Sequence, residues 1–301
     1  MDVTFRNYTD KPGITADYHE VRAFFVKQGH DIFEYTRWDW MATHSYLDQS
    51  AVGRIGLWEM EGGIIGVATF DTRPGRAYCL TSPGYTWLKE EILLYARKNL
   101  EADGKFSVVI GDGDHDFQDI AAAQGFIATE EKEADSMFYL DRTSTSYELP
   151  EGFRITSLKD TFDLYQYRRV LWKGFDHELK GEGELQYTEK DEQGARAEMI
   201  RPHVDLDLKV AVVGPEGNFV SYCGMWYDPK AGFAVVEPVA TDPAYRRMGL
   251  GRAAVLEGIR RVGSLGATKA LVGSGQQFYY SIGFRPLSTA TVWKEPEHGD
   301  K

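Results

Sequence analysis

Apolar residues recur along this chain in two periods, and the order in which the periods alternate repeats itself. In the second half, Phe153–Leu158 alternates as a short strand. Phe162, Leu164, Tyr165, Tyr167 and Val170 then follow helical spacing between Asp160 and Phe175. Lys209–Val213 and Phe219–Tyr227 read as strands about a hairpin turn, Gly214-Pro-Glu-Gly-Asn218. Phe233–Thr241 is the next strand. Ala253, Ala254, Val255, Leu256, Ile259 and Val262 form the apolar stripe of a long helix ending near Gly263 and Gly266. A short strand Lys269–Val272, a short helix Gln276–Ile282 and a closing strand Leu287–Trp293 complete the pattern.

The first half follows the same plan: helix Asp17–Gln28, strands Ile55–Glu59, Ile64–Phe70 and Ala77–Thr81, helix Trp87–Leu100, strand Phe106–Ile110, helix Phe117–Ala123 and strand Met137–Leu140. Each half sets a Gly-Phe pair after its short helix, Gly125-Phe126 and Gly283-Phe284. This predicts an internal duplication and an α/β (α+β) chain of two similar domains, residues 1–145 and 146–301. The polar stretch Asp141–Ser146 is the seam, and Thr129–Asp135 reads as an acidic loop.

At 301 residues, with 43% hydrophobic and 27% charged positions, the chain can build two ordinary cores. It contains no apolar run near the ~20 residues that a membrane helix needs. Its first residues lack a signal-peptide pattern, so the expected compartment is the cytoplasm. Cys79 and Cys223 have no metal-type spacing and read as buried small hydrophobes, and no metal is expected. A net charge of −12 disfavours nucleic acid and favours a cationic or amine-bearing partner. Because two fused domains already supply a pairing, a monomer is expected.

The chemistry-bearing segment follows Phe233–Thr241. Asp242-Pro-Ala-Tyr245 leads into Arg246-Arg247-Met248-Gly249-Leu250-Gly251-Arg252 and then the long helix. Two glycines one residue apart let the backbone bring N–H groups to a bulky anion, and the helix presents its positive dipole end there. Arg246, Arg247 and Arg252 add charge suited to a diphosphate. The matching first-half segment, Ser82-Pro83-Gly84-Tyr85-Thr86-Trp87-Leu88, has one glycine, no arginine, and a proline without the N–H an anion would use. Gly249-x-Gly251-x-x-Ala254 also satisfies a dinucleotide fingerprint. However, several residues separate it from its strand, and Lys269 stands near where a ribose-binding acid belongs.

Read as R-x-x-G-x-G, with Phe278-Tyr279-Tyr280-Ser-Ile-Gly283-Phe284 downstream, the second half resembles the GNAT N-acetyltransferases, and the first half does so more faintly. The resemblance implies two tandem domains, each a mixed, mostly antiparallel sheet flanked by helices. It implies acetyl-CoA as donor, held by Val239, Ala240, Thr241, Arg246, Arg247, Met248, Gly249, Leu250, Gly251 and Arg252. In the family, the strand before the loop offers backbone N–H groups to the pantetheine and thioester. Tyr279 holds the position of the phenol that protonates the departing sulfur; otherwise it is a core aromatic. Glu237 is the candidate general base for an amine, or a strand-edge glutamate that only attracts a cation. Ideal alternation puts Glu237, Val239 and Thr241 on one side, unless the family's bulge resets it. The first half carries Ala121 where the second has Tyr279. The asparagine common in the family is missing near Val272 and Gly273. Trp172, Phe175, His177, Glu178, Glu182 and Glu184 bound an acceptor cleft or form a solvated acidic loop. The acceptor remains open, with a small-molecule amine preferred over a protein, and a non-catalytic acyl-CoA sensor is the alternative.

Overall fold

Short polar side chains set several helix starts in this chain. Thr15, Asp114, Asp163 and Thr188 each accept a hydrogen bond from a first-turn backbone N–H, and Thr188 forms a reciprocal capping box with Asp191. The computed structural model describes residues 2–9, 11, 13–30, 32–42, 44 and 46–296. It divides into two units, Met1–Ala134 with Leu287–Lys301, and Asp135–Pro286.

In chain order the first unit contains β1 (Thr4–Asn7), α1 (Ala16–Gln28), α2 (Tyr35–Met41), β2 (Gly56–Met60), β3 (Gly63–Phe70), β4 (Arg76–Thr81), α3 (Lys89–Asn99), β5 (Ser107–Gly111), α4 (His115–Ala123) and the start of β6 (Ile127–Tyr139). The second unit contains the end of β6, then β7 (Arg154–Ser157), α5 (Leu164–Gly174), α6 (Glu189–Met199), β8 (Lys209–Val213), β9 (Phe219–Tyr227), β10 (Ala234–Thr241), α7 (Leu250–Ser264), β11 (Lys269–Val272) and α8 (Gln277–Ser281). The last strand is β12 (Arg285–Lys294). The short pieces β1, α2 and α6 lack a clear sequence rhythm and were not expected. Apart from β6, which begins ten residues before the expected strand Met137–Leu140, the other elements match the periodic runs to within a few residues.

The sheets differ from the sequence reading in which strands complete them. In the first unit the strands run β1-β2-β3-β4-β5-β12, with β4 and β5 parallel and the other neighbours antiparallel. Ala290–Lys294 of β12 pairs with Ser107–Gly111 of β5, and the Asp112 carboxylate accepts hydrogen bonds from the Thr289 and Thr291 hydroxyls. In the second unit the order is β6-β11-β10-β9-β8-β7, where Ser136–Tyr139 of β6 pairs with β11. Each unit is thus finished by a strand from the other half of the sequence. A hydrophobic pattern shows that a strand exists and is silent on which sheet edge receives it.

Thr129–Asp135 is strand rather than loop. Its three central charges are matched in the first unit: Glu131 with Arg76, Glu133 with Arg37 and Tyr78, and Lys132 with Asp112. Satisfied ion pairs let a charged segment hold strand form without an apolar alternation.

The second unit has a core on each face of its sheet. On one side α7 packs Ala254, Val255, Ile259 and Val262 against Val212, Val220, Met225 and Val236. On the other, Leu164, Tyr167, Val170 and Met199 from α5 and α6 cover Ala211, Val213, Tyr222 and Ala240. Cys79 and Cys223 are buried free thiols in strands, as expected. No helix among the described residues is long and apolar enough to cross a membrane.

Lys209 is the charge this core accommodates least easily. Its ammonium is buried, donates to Met225 O at 2.9 Å, and stands 3.7 Å from the Trp226 ring centroid. Burial, then the nearby Arg201, lowers its pKa from 10.5 to about 7, against the opposite pull of Glu198, Cys223 and Asp205. Between those two values the unfolded chain holds a proton that the folded chain has lost, so Lys209 makes stability rise with pH across that window. Urea midpoints measured from pH 6 to 10 should rise less steeply for Lys209→Met than for the unaltered protein; equal slopes would contradict the buried-amine account.

Candidate functional site

Two departures from regular pairing shape β10. Val236 lies opposite Met225 and Val239 opposite Cys223, so Glu237 and Pro238 together face only Gly224. This is a β-bulge, and it resets the side-chain alternation. Val236 and Val239 both pack on the α7 side although they are three residues apart. The expectation that Glu237, Val239 and Thr241 share a face therefore fails at the bulge. Gly224 is required here, because a Cβ would stand 3.0 Å from the Glu237 carbonyl carbon and from Pro238 Cδ. On the other edge, β10 pairs with β11 only at Ala234 and Val235. Beyond Val235 the two strands part, leaving that edge of β10 without a ladder.

The separation opens into a cavity of about 710 Å³, within the usual range for small-molecule sites. It is lined by Val239, Ala240 and Thr241 of β10, by Arg246, Arg247, Gly249, Leu250, Gly251 and Arg252 of the loop and the start of α7, and by Phe278 and Tyr279 of α8. All the predicted donor-binding residues except Met248 line it; Met248 is exposed outside.

The glycine loop is built as expected for an anion. Asp242 caps the turn Pro243–Tyr245, and the chain then passes through left-handed conformations at Arg247 (φ 66°) and Gly249 (φ 80°). Helix α7 begins at Leu250 with no side-chain cap, so its first N–H groups have no partner of their own and face the loop. Around Gly249 nothing lies within 4 Å of a Cβ position, whereas at Gly251 one would stand 3.0 Å from Thr241 Oγ1. The first glycine leaves open space and the second permits close approach of helix to strand.

The three arginines divide their tasks. Arg246 donates to Asp176 Oδ1 at 2.6 Å, Gly174 O at 2.9 Å and Thr241 O at 3.2 Å. It ties the end of α5 to the end of β10, and much of its charge is matched there. Arg247 makes no ion pair among the described residues, and Arg252 has a long 3.4 Å contact to Ser281 O. Those two remain for an incoming anion. Asp176 and Gly174 had no sequence signal, since each acts through a contact more than 60 positions away.

Tyr279 is 8% exposed and lines the cavity, while Tyr280 does not. Burial, with the neighbouring Cys223 and Glu237, pushes the Tyr279 phenol above its ordinary value, so it keeps its proton at neutral pH. Glu237 is exposed and outside the cavity lining. Of the acidic-aromatic cluster, only Phe175 reaches the cavity. His177 stacks on Trp172 at 4.1 Å with Glu182 3.0 Å from its Nδ1, and Glu178 pairs with Lys173.

The first unit repeats the frame without these features. Phe126 N–H donates to Ala121 O at 3.0 Å just as Phe284 N–H donates to Tyr279 O at 3.1 Å, which makes Ala121 and Tyr279 equivalent. Strand β4 also leaves its parallel neighbour β5 after Tyr78. Yet β3 and β4 pair without a bulge, and no glycine loop precedes α3.

The observations fit a diphosphate-bearing thioester donor: uncapped helix amides, open space at Gly249, two arginines without carboxylates, and an unpaired strand edge along the cavity. Among the described residues no group of side chains is arranged to hold a metal ion.

Residues 170–284 match the acetyltransferase (GNAT) family. Among solved structures, a GCN5-related N-acetyltransferase from Sphaerobacter thermophilus is 15% identical, with 97% of this chain and 95% of that chain covered at a TM-score of 0.59. A tandem GNAT protein from the clavulanic acid biosynthesis pathway is 13% identical and matches over 100% of both chains, also at 0.59. A GNAT-family acetyltransferase from Colwellia psychrerythraea is 9% identical, covering 97% and 99% at 0.55. At such identities these likenesses show a shared fold. No curated protein matches the sequence significantly.

The tightest contact beside the cavity yields a test. A Cβ on Gly174 would stand 2.6 Å from Ala240 Cβ and 2.8 Å from Thr241 N, and a backbone atom cannot step aside as a side chain does. Gly174→Ala should cost about 1–3 kcal/mol, read from urea unfolding; an unchanged midpoint would show that α5 does not rest on β10 this closely.

Proposed function

We propose, from the match of residues 170–284 to the acetyltransferase (GNAT) family, that the chain transfers an acetyl group from acetyl-CoA to a primary amine of a small-molecule acceptor. The observation that carries this reading is the cavity itself: a strand edge left unpaired beyond Val235, ending at an uncapped helix N-terminus with Arg247 and Arg252 beside it.

The donor supplies an activated carbonyl and a thiolate leaving group. The protein's own part begins with binding. The N–H groups at the start of α7, with Arg247 and Arg252, form the site for the diphosphate, and Gly249 and Gly251 keep that approach free of side chains. Thr241, whose hydroxyl is held 2.9 Å from Ser221 Oγ, keeps the strand end in place against Gly251. The N–H groups of Val239 and Thr241, on the edge of β10 turned away from β9, supply preorganised donors along the cavity.

Proton handling falls to two side chains. Tyr279 lines the cavity and stays protonated at neutral pH, which makes it the candidate donor of a proton to the departing thiolate. A primary amine is protonated at neutral pH and must lose that proton before attack. Glu237, the carboxylate on this strand, stands outside the cavity lining and serves as the base only through water. The protein's net charge of −12 favours a cationic acceptor.

Calorimetric titration with acetyl-CoA should give one donor bound per chain, with affinity reduced at least tenfold in the Arg247→Ala/Arg252→Ala double variant. Absence of binding to the unaltered protein would end the acetyltransferase reading. In an amine-library assay of thiol release, Tyr279→Phe should lower turnover by roughly 10² or more while leaving acetyl-CoA affinity unchanged. An unchanged rate would remove Tyr279 from the chemistry, and binding without any productive amine would favour a sensor.

A further inference from the structure

The bulge on β10 has its own anchor. Trp226 stands on β9 opposite Val235, the last residue of β10 that still pairs with β11. Its indole N–H reaches across and donates to Glu237 O at 2.9 Å. That carbonyl lies in the bulge, where regular strand pairing is interrupted. Gly224, the single residue opposite, leaves the space that the carbonyl occupies.

The ring itself is firmly set. Trp226 is 5% exposed, with Lys209 Nζ 3.7 Å from its centroid and the Arg201 guanidinium 5.1 Å away. Lys209 is fixed in turn by its hydrogen bond to Met225 O, one residue before Trp226. The Arg201 guanidinium is attracted by the ring quadrupole, and the Lys209 amine is kept over the ring by its bond to Met225 O. A lysine confined in this way, on a face otherwise packed by Tyr167, Tyr222 and Ala211, is otherwise hard to account for.

We propose that Trp226 is a positioning residue for the acyl-transfer site: its indole N–H fixes the Glu237 carbonyl, and with it the bulge that aims the Glu237 carboxylate and the Val239–Thr241 backbone, while Lys209 and Arg201 hold the ring. The role rests on the acetyltransferase reading of this cavity, but the anchoring contact does not. A bulge has alternative registers that differ by one residue, and a slip would return Val239 to the opposite face. Fixing one carbonyl selects one register. The first unit agrees with this logic: it has no bulge on β4, and β3 and β4 keep a continuous register.

Trp226→Phe keeps an aromatic face for Arg201 and Lys209 and removes only the indole donor. Amide hydrogen exchange at Ala240 and Asp242, whose N–H groups bond to β9 beyond the bulge, should become at least tenfold faster in this variant. With the best amine from the library, kcat should fall about tenfold while the Kd for acetyl-CoA stays within twofold. Unchanged exchange at those two amides would overturn the proposal even if the variant melted lower, because a purely packing role predicts that pattern. Should the variant fail to fold, the assigned indole N–H resonance of the unaltered protein decides: slow exchange and a shift on adding acetyl-CoA support the anchor, and exchange at the rate of an exposed indole refutes it. If the unaltered protein binds no acetyl-CoA, the functional reading fails and the exchange comparison alone judges the anchor.

Discussion

Strand β10 holds its antiparallel partner to the end but gives up its parallel partner after Val235, and the rest of the second unit is arranged around that separation. Buried backbone polar groups are normally paired, so an unpaired edge inside a domain is stable only beside water or a ligand. Here the edge borders a cavity that leads to the start of α7. The bulge at Glu237 and Pro238 turns the strand as it leaves, Gly224 makes room for it, and Trp226 bonds its carbonyl.

Charge around the cavity is apportioned by geometry rather than by count. Arg246 belongs to the glycine-loop motif, but its guanidinium joins Gly174, Asp176 and Thr241 and acts as a brace between α5 and β10. Arg247 and Arg252 stay available, and with the helix amides they make a local positive site on a protein of net charge −12. Tyr279 lies deeper, where burial keeps its proton in place.

The two units show how little separates a frame from a site. Both have the hairpin strands, a long helix after the third of them, and a short helix closed by a Gly-Phe pair whose Phe N–H returns to an equivalent carbonyl. The first unit has Ala121 at the tyrosine position, no glycine loop and no bulge between β3 and β4. Instead Tyr78 of β4 and Arg37 of α2 join Asp71 and Glu133 in a network of hydrogen bonds and ion pairs. Side chains that satisfy one another in this way hold a structure together and offer little to a substrate.

By itself the sequence determined most of the elements, though not β1, α2 or α6, together with the duplication and the glycine loop with Tyr279, because each is written in neighbouring residues: alternation or helical spacing for the elements, Gly-Phe pairs for the repeat, and R-x-x-G-x-G for the loop. Tertiary structure alone decided which sheet received β12 and the end of β6, that Thr129–Asp135 is strand, and that the β10 bulge carries Val239 to the α7 face. It also decided that Arg246 braces rather than waits, and that Gly174, Asp176, Gly224 and Trp226 matter to the site. These depend on partners distant along the chain, such as Arg246 with Asp176 or Thr291 with Asp112. A one-dimensional pattern records a residue's own preference for apolar or polar surroundings, and only the folded chain chooses the neighbour that meets it.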